Sequence, residues 1–354
     1  MHQFNLIKIP VISILLLWLQ GCKSDNSFYL TIKGNSLGNE YVITVKATDS
    51  VTIKHAVDSI LITIESSVSL NNPESTLIRY NNSDTTFCFD SKSDNVFRKV
   101  FDRSKSLYTS TNGAFNPAVE PLLQYYGFSD TDIHPLRHED STVIQKLLQL
   151  VVFDSIVLTE SDNKGIICIS KPDKACKLTF NAIFPGFTVD CLAAYFESKG
   201  LKDFMIKLGS EYRSMGNDAT NHAWGTDILR PEPNTSGSES VLPLQLSNKA
   251  MATNGNYQKI YEVKGQKYSH IISPFTGASH PTDILSVTVI SDDCSSADAY
   301  ATAFMVLGLD KSLQLIDSLK DVEACFIYDN EGDGIFEYKI SKGFSKYYLN
   351  NEQK

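Results

Sequence analysis

The feature that most limits how this chain can fold is the change in its hydrophobic period, from three or four residues in some stretches to two in others. Val57, Ile60, Leu61, Ile64 and Val68 keep helical spacing, as do Val96, Phe97, Val100, Phe101 and Leu107. Val143, Ile144, Leu147 and Leu148 form a third stripe, and Val189, Leu192, Ala193 and Phe196 a fourth. Each predicts an amphipathic helix whose apolar face lies on a sheet. Strand-like runs cover Phe28 to Lys33, Tyr41 to Lys46, Ser155 to Thr159, Gly165 to Ser170, Phe204 to Leu208, Leu285 to Ile290, Ala324 to Tyr328 and Gly334 to Ile340. Helices and strands do not strictly alternate, so the pattern predicts an α+β fold rather than a doubly wound sheet. Arg230 to Ser240, rich in proline and polar residues, predicts a long surface loop.

The N-terminus bears on compartment. His2 and Lys8 accompany an apolar run from Ile9 to Leu19, broken only by Pro10 and Ser13, and Leu19-Gln20-Gly21-Cys22 follows. The run is shorter than the roughly 20 apolar residues of a bilayer-spanning helix and reads as a secretory signal. Its end matches a bacterial lipobox, in which Cys22 takes a lipid; the plain alternative is a signal peptide with an incidental cysteine. Acylation of both the Cys22 thiol and its freed amine would hold the protein at a membrane, because lasting anchoring takes more than one chain. The expected organisation is a signal peptide over 1–21, a tether over 22–27, one folded domain over 28–345 and a polar tail over 346–354. The expected location is a bacterial membrane surface, at the periplasmic face of the inner membrane or on the outer membrane.

With 32 basic against 41 acidic residues and no basic run, the chain is a poor partner for nucleic acid. Beyond Cys22, cysteines stand at 88, 168, 176, 191, 294 and 325 without a Cys-x-x-Cys pair, which argues against zinc and thioredoxin-like chemistry. Export permits disulfides; Cys168 and Cys176 could meet across a hairpin, and the pairing stays open at this stage.

Asp298 and Thr302 stand at i and i+4 on a predicted helix running to Leu307, so both oxygens project from one face. A carboxylate and a hydroxyl so placed suit a hard cation with oxygen ligands. The plain alternative is a charge favoured by the dipole of its own helix and a threonine bonding back to it. Gly113-Ala114-Phe115-Asn116-Pro117 is either a simple turn or a loop whose glycine lets backbone approach a flat ligand.

Taken in order, several separated blocks resemble the signature of the FAD:protein FMN transferase (ApbE-like) family. They are Leu37-Gly38-Asn39, Ser75 to Asn81, Gly113 to Pro117, Leu178 to Asp190, Gly209 to Arg213, Ala250 to Tyr257, Tyr268 to Gly277 and Ala297 to Ala303. The resemblance covers about Leu37 to Gly308. Four of the departures from the family's pattern remove a charge: Asn116, Thr179 and Ser273 each replace an aspartate, and Pro185 replaces a lysine. The helix opened by the Leu178 to Asp190 block is expected to offer unpaired N–H groups to a diphosphate.

The resemblance implies a two-lobed α+β fold with mixed sheets flanked by helices and a flavin cleft between the lobes. It implies FAD contacts at Leu37, Ala114, Phe115, Asn116, Thr179, Pro185 and Ile272, and Mg2+ held by Asp298, Thr302 and the Ala182 carbonyl. His270 occupies the position that takes a proton from the acceptor hydroxyl, a task suited to an imidazole with a pKa near 7. The implied reaction is transfer of FMN from FAD to a Ser or Thr hydroxyl of a flavoprotein, with AMP released. The implied acceptor is a subunit of a membrane redox complex or an exported flavoprotein. Two other readings stand beside it: an FAD pyrophosphatase using the same metal, and a non-catalytic flavin-binding lipoprotein, which the four departures motivate.

Overall fold

Alternation in the first strand-like runs becomes a hairpin, β1 (Phe28–Ser36) and β2 (Asn39–Ala47), in the computed structural model of the protein. The structure describes residues 27–129, 134–136, 139–160, 165–231, 239–256, 259–279, 284–329 and 335–349. The hairpin turns on Leu37 and Gly38, with φ of 57° and 73°, as a two-residue connection between twisted strands requires. Then follow α1 (Ser50–Val68), α2 (Thr76–Asn81), β3 (Thr86–Asp90), α3 (Asn95–Ser110), α4 (Glu120–Tyr126), α5 (Ser141–Leu148), β4 (Val157–Glu160) and β5 (Ile166–Ser170). The middle of the chain forms α6 (Phe184–Ser198), β6 (Phe204–Leu208), β7 (Glu211–Met215), β8 (Trp224–Leu229), β9 (Ser240–Leu246) and β10 (Ala250–Gly255). It closes with β11 (Ile260–Val263), β12 (Gln266–Ser269), β13 (Ile284–Ser291), α7 (Cys294–Leu307), α8 (Leu309–Ile316), β14 (Glu323–Tyr328) and β15 (Glu337–Ile340).

The α+β expectation holds. The main sheet has eight strands in the order β1-β2-β6-β7-β10-β13-β14-β15, with a smaller sheet β3-β5-β4 and the hairpins β8-β9 and β11-β12. Where mixed sheets were expected, every pairing among the described residues is antiparallel. The four helical stripes become α1, α3, α5 and α6. Helices α1 and α6 bury Val57, Leu61, Leu192 and Phe196 against Ile43, Val45, Phe204 and Ile206 of the main sheet. Helix α7 packs between that sheet and the body formed by α3 and the small sheet. The β8-β9 hairpin covers part of the other face at Met251, Ile290 and Ile327. Neither strand of that hairpin was legible, since Gly225 and Pro243 interrupt the alternation.

One open pairing is settled and one expectation changes. Cys168 pairs with Cys88, not with Cys176, which is a buried free thiol. Register decides this: Cys88 and Cys168 face each other across β3 and β5, while Cys176 lies beyond the strand end. A cross-link closing a loop of this size stabilises by about 4.5 kcal/mol in the chain-entropy account. The tail expected from 346 begins later, because Tyr347 is buried in the core under β8-β9 and Tyr348 bridges Leu244. Cys22, with the whole leader and most of the tether, and residues 232–238 of the Arg230 to Ser240 loop lie outside the described residues. No helix among the described residues is long and apolar enough to cross a membrane.

Candidate active site

The site is organised by two helices that cap each other. Helix α6 begins after Ile183, which offers no side-chain cap, and has Pro185 in its first turn. Asp298 of α7 supplies the missing acceptor: its Oδ2 receives the Gly186 N–H at 3.0 Å. In return, Asp190 of α6 accepts the Cys294 and Ser295 N–H groups at the start of α7, both at 2.8 Å, and the Ser295 hydroxyl at 2.6 Å. Asp293, the N-cap of α7, takes the Ser296 N–H. Asp298 therefore does not serve its own helix. Gly186 allows the approach, since a Cβ there would stand 2.4 Å from the Cys294 carbonyl oxygen.

Both carboxylates at the centre are buried. Burial pushes the Asp298 carboxyl up to about 7, against the Gly186 N–H, which lowers it, with nearby Asp190 raising it further. Burial also pushes Glu211 well above the usual carboxylate range, and the Asp298 charge adds to it. Neither is paired with a lysine or arginine among the described residues. Thr302 does not bond back to its helix; its Oγ1 accepts from Asn254 Nδ2 at 2.8 Å. The donors lining this cavity include oxygens: the Asp298 and Glu211 carboxylates, the Thr302 hydroxyl and the backbone at Ala182. Buried carboxylates without a protein cation, in an all-oxygen set, fit a hard divalent cation such as Mg2+.

The remaining walls are tied together by backbone. Asn81 of α2 clasps Leu178, its Nδ2 donating to the carbonyl and its Oδ1 accepting the N–H, both at 2.8 Å. The Thr179 N–H donates to the Pro117 carbonyl at 2.8 Å, which locks the Leu178 block to the Gly113 block. Asn116 caps the turn after it through the Ala118 N–H. The result is a cavity of about 300 Å³ lined by Ala114, Phe115, Asn116, Thr179, Ala182, Pro185, His270, Ile272, Asp298 and Thr302. The ten expected residues in that group come together.

Leu37 does not join them. Its positive-φ turn directs its N–H to Glu65 Oε1 at 3.1 Å and its side chain to the apolar core, and Asn39 lines the cavity instead. Ser273 also lies outside the cavity lining, its hydroxyl accepting the Phe275 and Thr276 N–H groups of a turn. The N-terminus of α6 is not open to a diphosphate: Phe184 and Phe187 bond to Phe180 and Ile183, Gly186 bonds to Asp298, and Pro185 has no N–H. Glu211, Asn254 and Lys259 line the cavity and were not assigned a role from sequence. Glu211 and Asn254 fall within matched blocks, which was the available signal.

His270 follows β12, and its Nδ1 is buried without a hydrogen-bond partner among the described residues. The pKa near 7 expected for it is not what the site imposes. Burial, with the Lys259 charge beside it, pulls the imidazole down to about 4, so it is neutral and can accept a proton at pH 7.

An α+β body with two buried carboxylates and a neutral imidazole lining one cavity is an enzyme-like site. The ApbE family model matches residues 37–326, and the chain belongs to the ApbE family. It is 26% identical to the FAD:protein FMN transferase of Vibrio cholerae over 335 residues, covering 92% of this chain and 95% of that one. The corresponding protein of Haemophilus influenzae is also 26% identical, with 93% and 94% covered. Among solved structures, the flavinyl transferase ApbE of Pseudomonas stutzeri in its apo form superposes with a TM-score of 0.78 at 23% identity, covering 91% of this chain and 97% of that one.

Proposed function

We propose that the chain transfers FMN from FAD to a Ser or Thr hydroxyl of a target flavoprotein, with AMP as the leaving group. The observation that carries the reading is the mutual capping of α6 and α7, which holds the buried Asp298 in the cavity wall together with Thr302 and Ala182. The acceptor oxygen forms a bond to the FMN-side phosphorus, the bond to the bridging oxygen breaks, and AMP departs with that oxygen. Asp298, Thr302 and the Ala182 carbonyl would hold Mg2+, with the Glu211 carboxyl lining the same cavity. A divalent ion there would neutralise charge building on the phosphate oxygens and the departing AMP. Asn254 orients the Thr302 hydroxyl. His270, neutral at pH 7, receives the hydroxyl proton, and the negative charge of a bound diphosphate would move its pKa back up. Ala114, Phe115 and Ile272 offer apolar surface to the flat rings.

The test is covalent flavinylation. Purified protein with FAD, Mg2+ and a flavoprotein acceptor should give in-gel flavin fluorescence on the acceptor, over several turnovers per chain. In His270→Asn the rate should fall by about 10²-fold or more. Absence of transfer, with rapid AMP release when no acceptor is present, would replace this reading by the FAD pyrophosphatase. FAD binding without either product would leave a flavin-binding lipoprotein.

Export and lipid anchoring at Cys22 complete the proposal. The lipobox supports them, and a disulfide between Cys88 and Cys168 is a bond that oxidising compartments sustain. Cys22→Ala should appear in the soluble exported fraction; retention in membranes would sink the anchor. The proposed acceptor is then a flavoprotein on the same face of the membrane.

A further inference from the structure

We propose that Lys259 binds the diphosphate of FAD in this chain, supplying the positive charge that Pro185 does not carry; the inference rests on the flavin-transfer reading above. The β11-β12 hairpin pairs Ile260 with Ser269, so the next positions outward, Lys259 and His270, stand opposite each other at its open end. The His270 N–H donates to the Lys259 carbonyl at 3.3 Å, which fixes that relation. Both residues line the cavity, and Lys259 is the only lysine or arginine among its described lining residues.

The need for this charge follows from what else surrounds the cavity. Asp298 and Glu211 place two carboxylates in its wall. The α6 N-terminus, the ordinary place for a phosphate, has every early N–H engaged or absent, since Asp298 takes the one from Gly186. A diphosphate entering the cavity therefore meets, among the described lining residues, one lysine or arginine, Lys259. The ammonium has a second effect on its hairpin neighbour: after burial, it is what holds the His270 imidazole low. One side chain thus attracts the anionic part of the substrate and keeps the adjacent imidazole free of its proton until that anion arrives.

The experiment uses the metal-loaded full-length protein titrated with FAD, ADP and riboflavin. Lys259→Gln should weaken FAD and ADP by roughly tenfold, as loss of a charge-assisted phosphate contact does, and make their binding less salt-dependent. Riboflavin, which has no phosphate, should bind the variant as it binds the parent. The Pro185→Lys change placed on top should recover most of the FAD affinity. By NMR, the His270 ring should titrate near 4 in the parent and higher in Lys259→Gln. Unchanged FAD and ADP affinities would overturn the proposal, as would an equal loss for riboflavin, which would mark a structural role. A parent that binds riboflavin but neither FAD nor ADP would overturn the flavin-transfer reading itself, and this inference with it.

Discussion

In Asp298→Asn, covalent FMN transfer falls by roughly 10³-fold or more, while the metal-free protein becomes more stable. The first effect follows from removing the charge that would hold the metal, since such an ion supplies several kcal/mol of charge stabilisation. The second follows from burial. Asp298 has a folded-state pKa of about 7 against 3.8 for an ordinary aspartate. Between these values the folded chain keeps a proton that the unfolded chain has released, so stability falls as pH rises through that window and stays low above it. Asparagine cannot ionise, and its side-chain oxygen can still accept the Gly186 N–H. At pH 8 with a chelator present, the variant should exceed the parent by about 2–4 kcal/mol, and at pH 4 the two should converge. Urea unfolding at the two pH values, with and without Mg2+, checks both parts. Added Mg2+ should stabilise the parent and leave the variant unmoved; transfer at the parental rate in Asp298→Asn would remove this residue from the metal site.

Gly186→Ala loses about 3 kcal/mol of stability, and transfer fails with it. Helix propensity alone points the other way, since alanine is favoured over glycine in a helix by about 1 kcal/mol. Position decides against propensity. A Cβ at residue 186 would lie 2.4 Å from the Cys294 carbonyl oxygen, 2.8 Å from its carbon and 2.9 Å from Asp298 Cβ. Two of those neighbours are backbone of α7 and cannot rotate away, so α6 and α7 must separate, at the cost typical of overpacking or above it. Separation also breaks the Gly186–Asp298 hydrogen bond and, on the other side, loosens Asp190 from Cys294 and Ser295. Urea denaturation reads the first effect and in-gel flavin fluorescence the second. A variant as stable as its parent would mean that the two helices have room that the geometry denies them.

Period and block spacing were enough to anticipate α1, α3, α5 and α6, and the strand Phe204–Leu208 with its bounds. Of the eleven residues that the family resemblance implied within the described chain, ten line one cavity. These are local signals: an amphipathic stripe or an Asp-x-x-x-Thr spacing is written in consecutive residues. Leu37 was misplaced because a positive-φ turn, not its neighbours in sequence, sets where it points. The strands Glu211–Met215 and Ala250–Gly255 were matched as blocks without being read as strands, because neither keeps the alternation of a half-buried strand.

What the sequence by itself determined is therefore the α+β class, the family resemblance and ten of the side chains that meet in the cavity. Only the tertiary structure decided what those side chains do there. The exchange of caps between α6 and α7 joins residues 112 positions apart, as Gly186 and Asp298 are. The pairing of Cys88 with Cys168 and the placing of Lys259 across from His270 depend on strand register. The raised carboxylates and the lowered imidazole depend on burial. Register, helix contact and exclusion of water are properties of the folded chain, so no local pattern carries them.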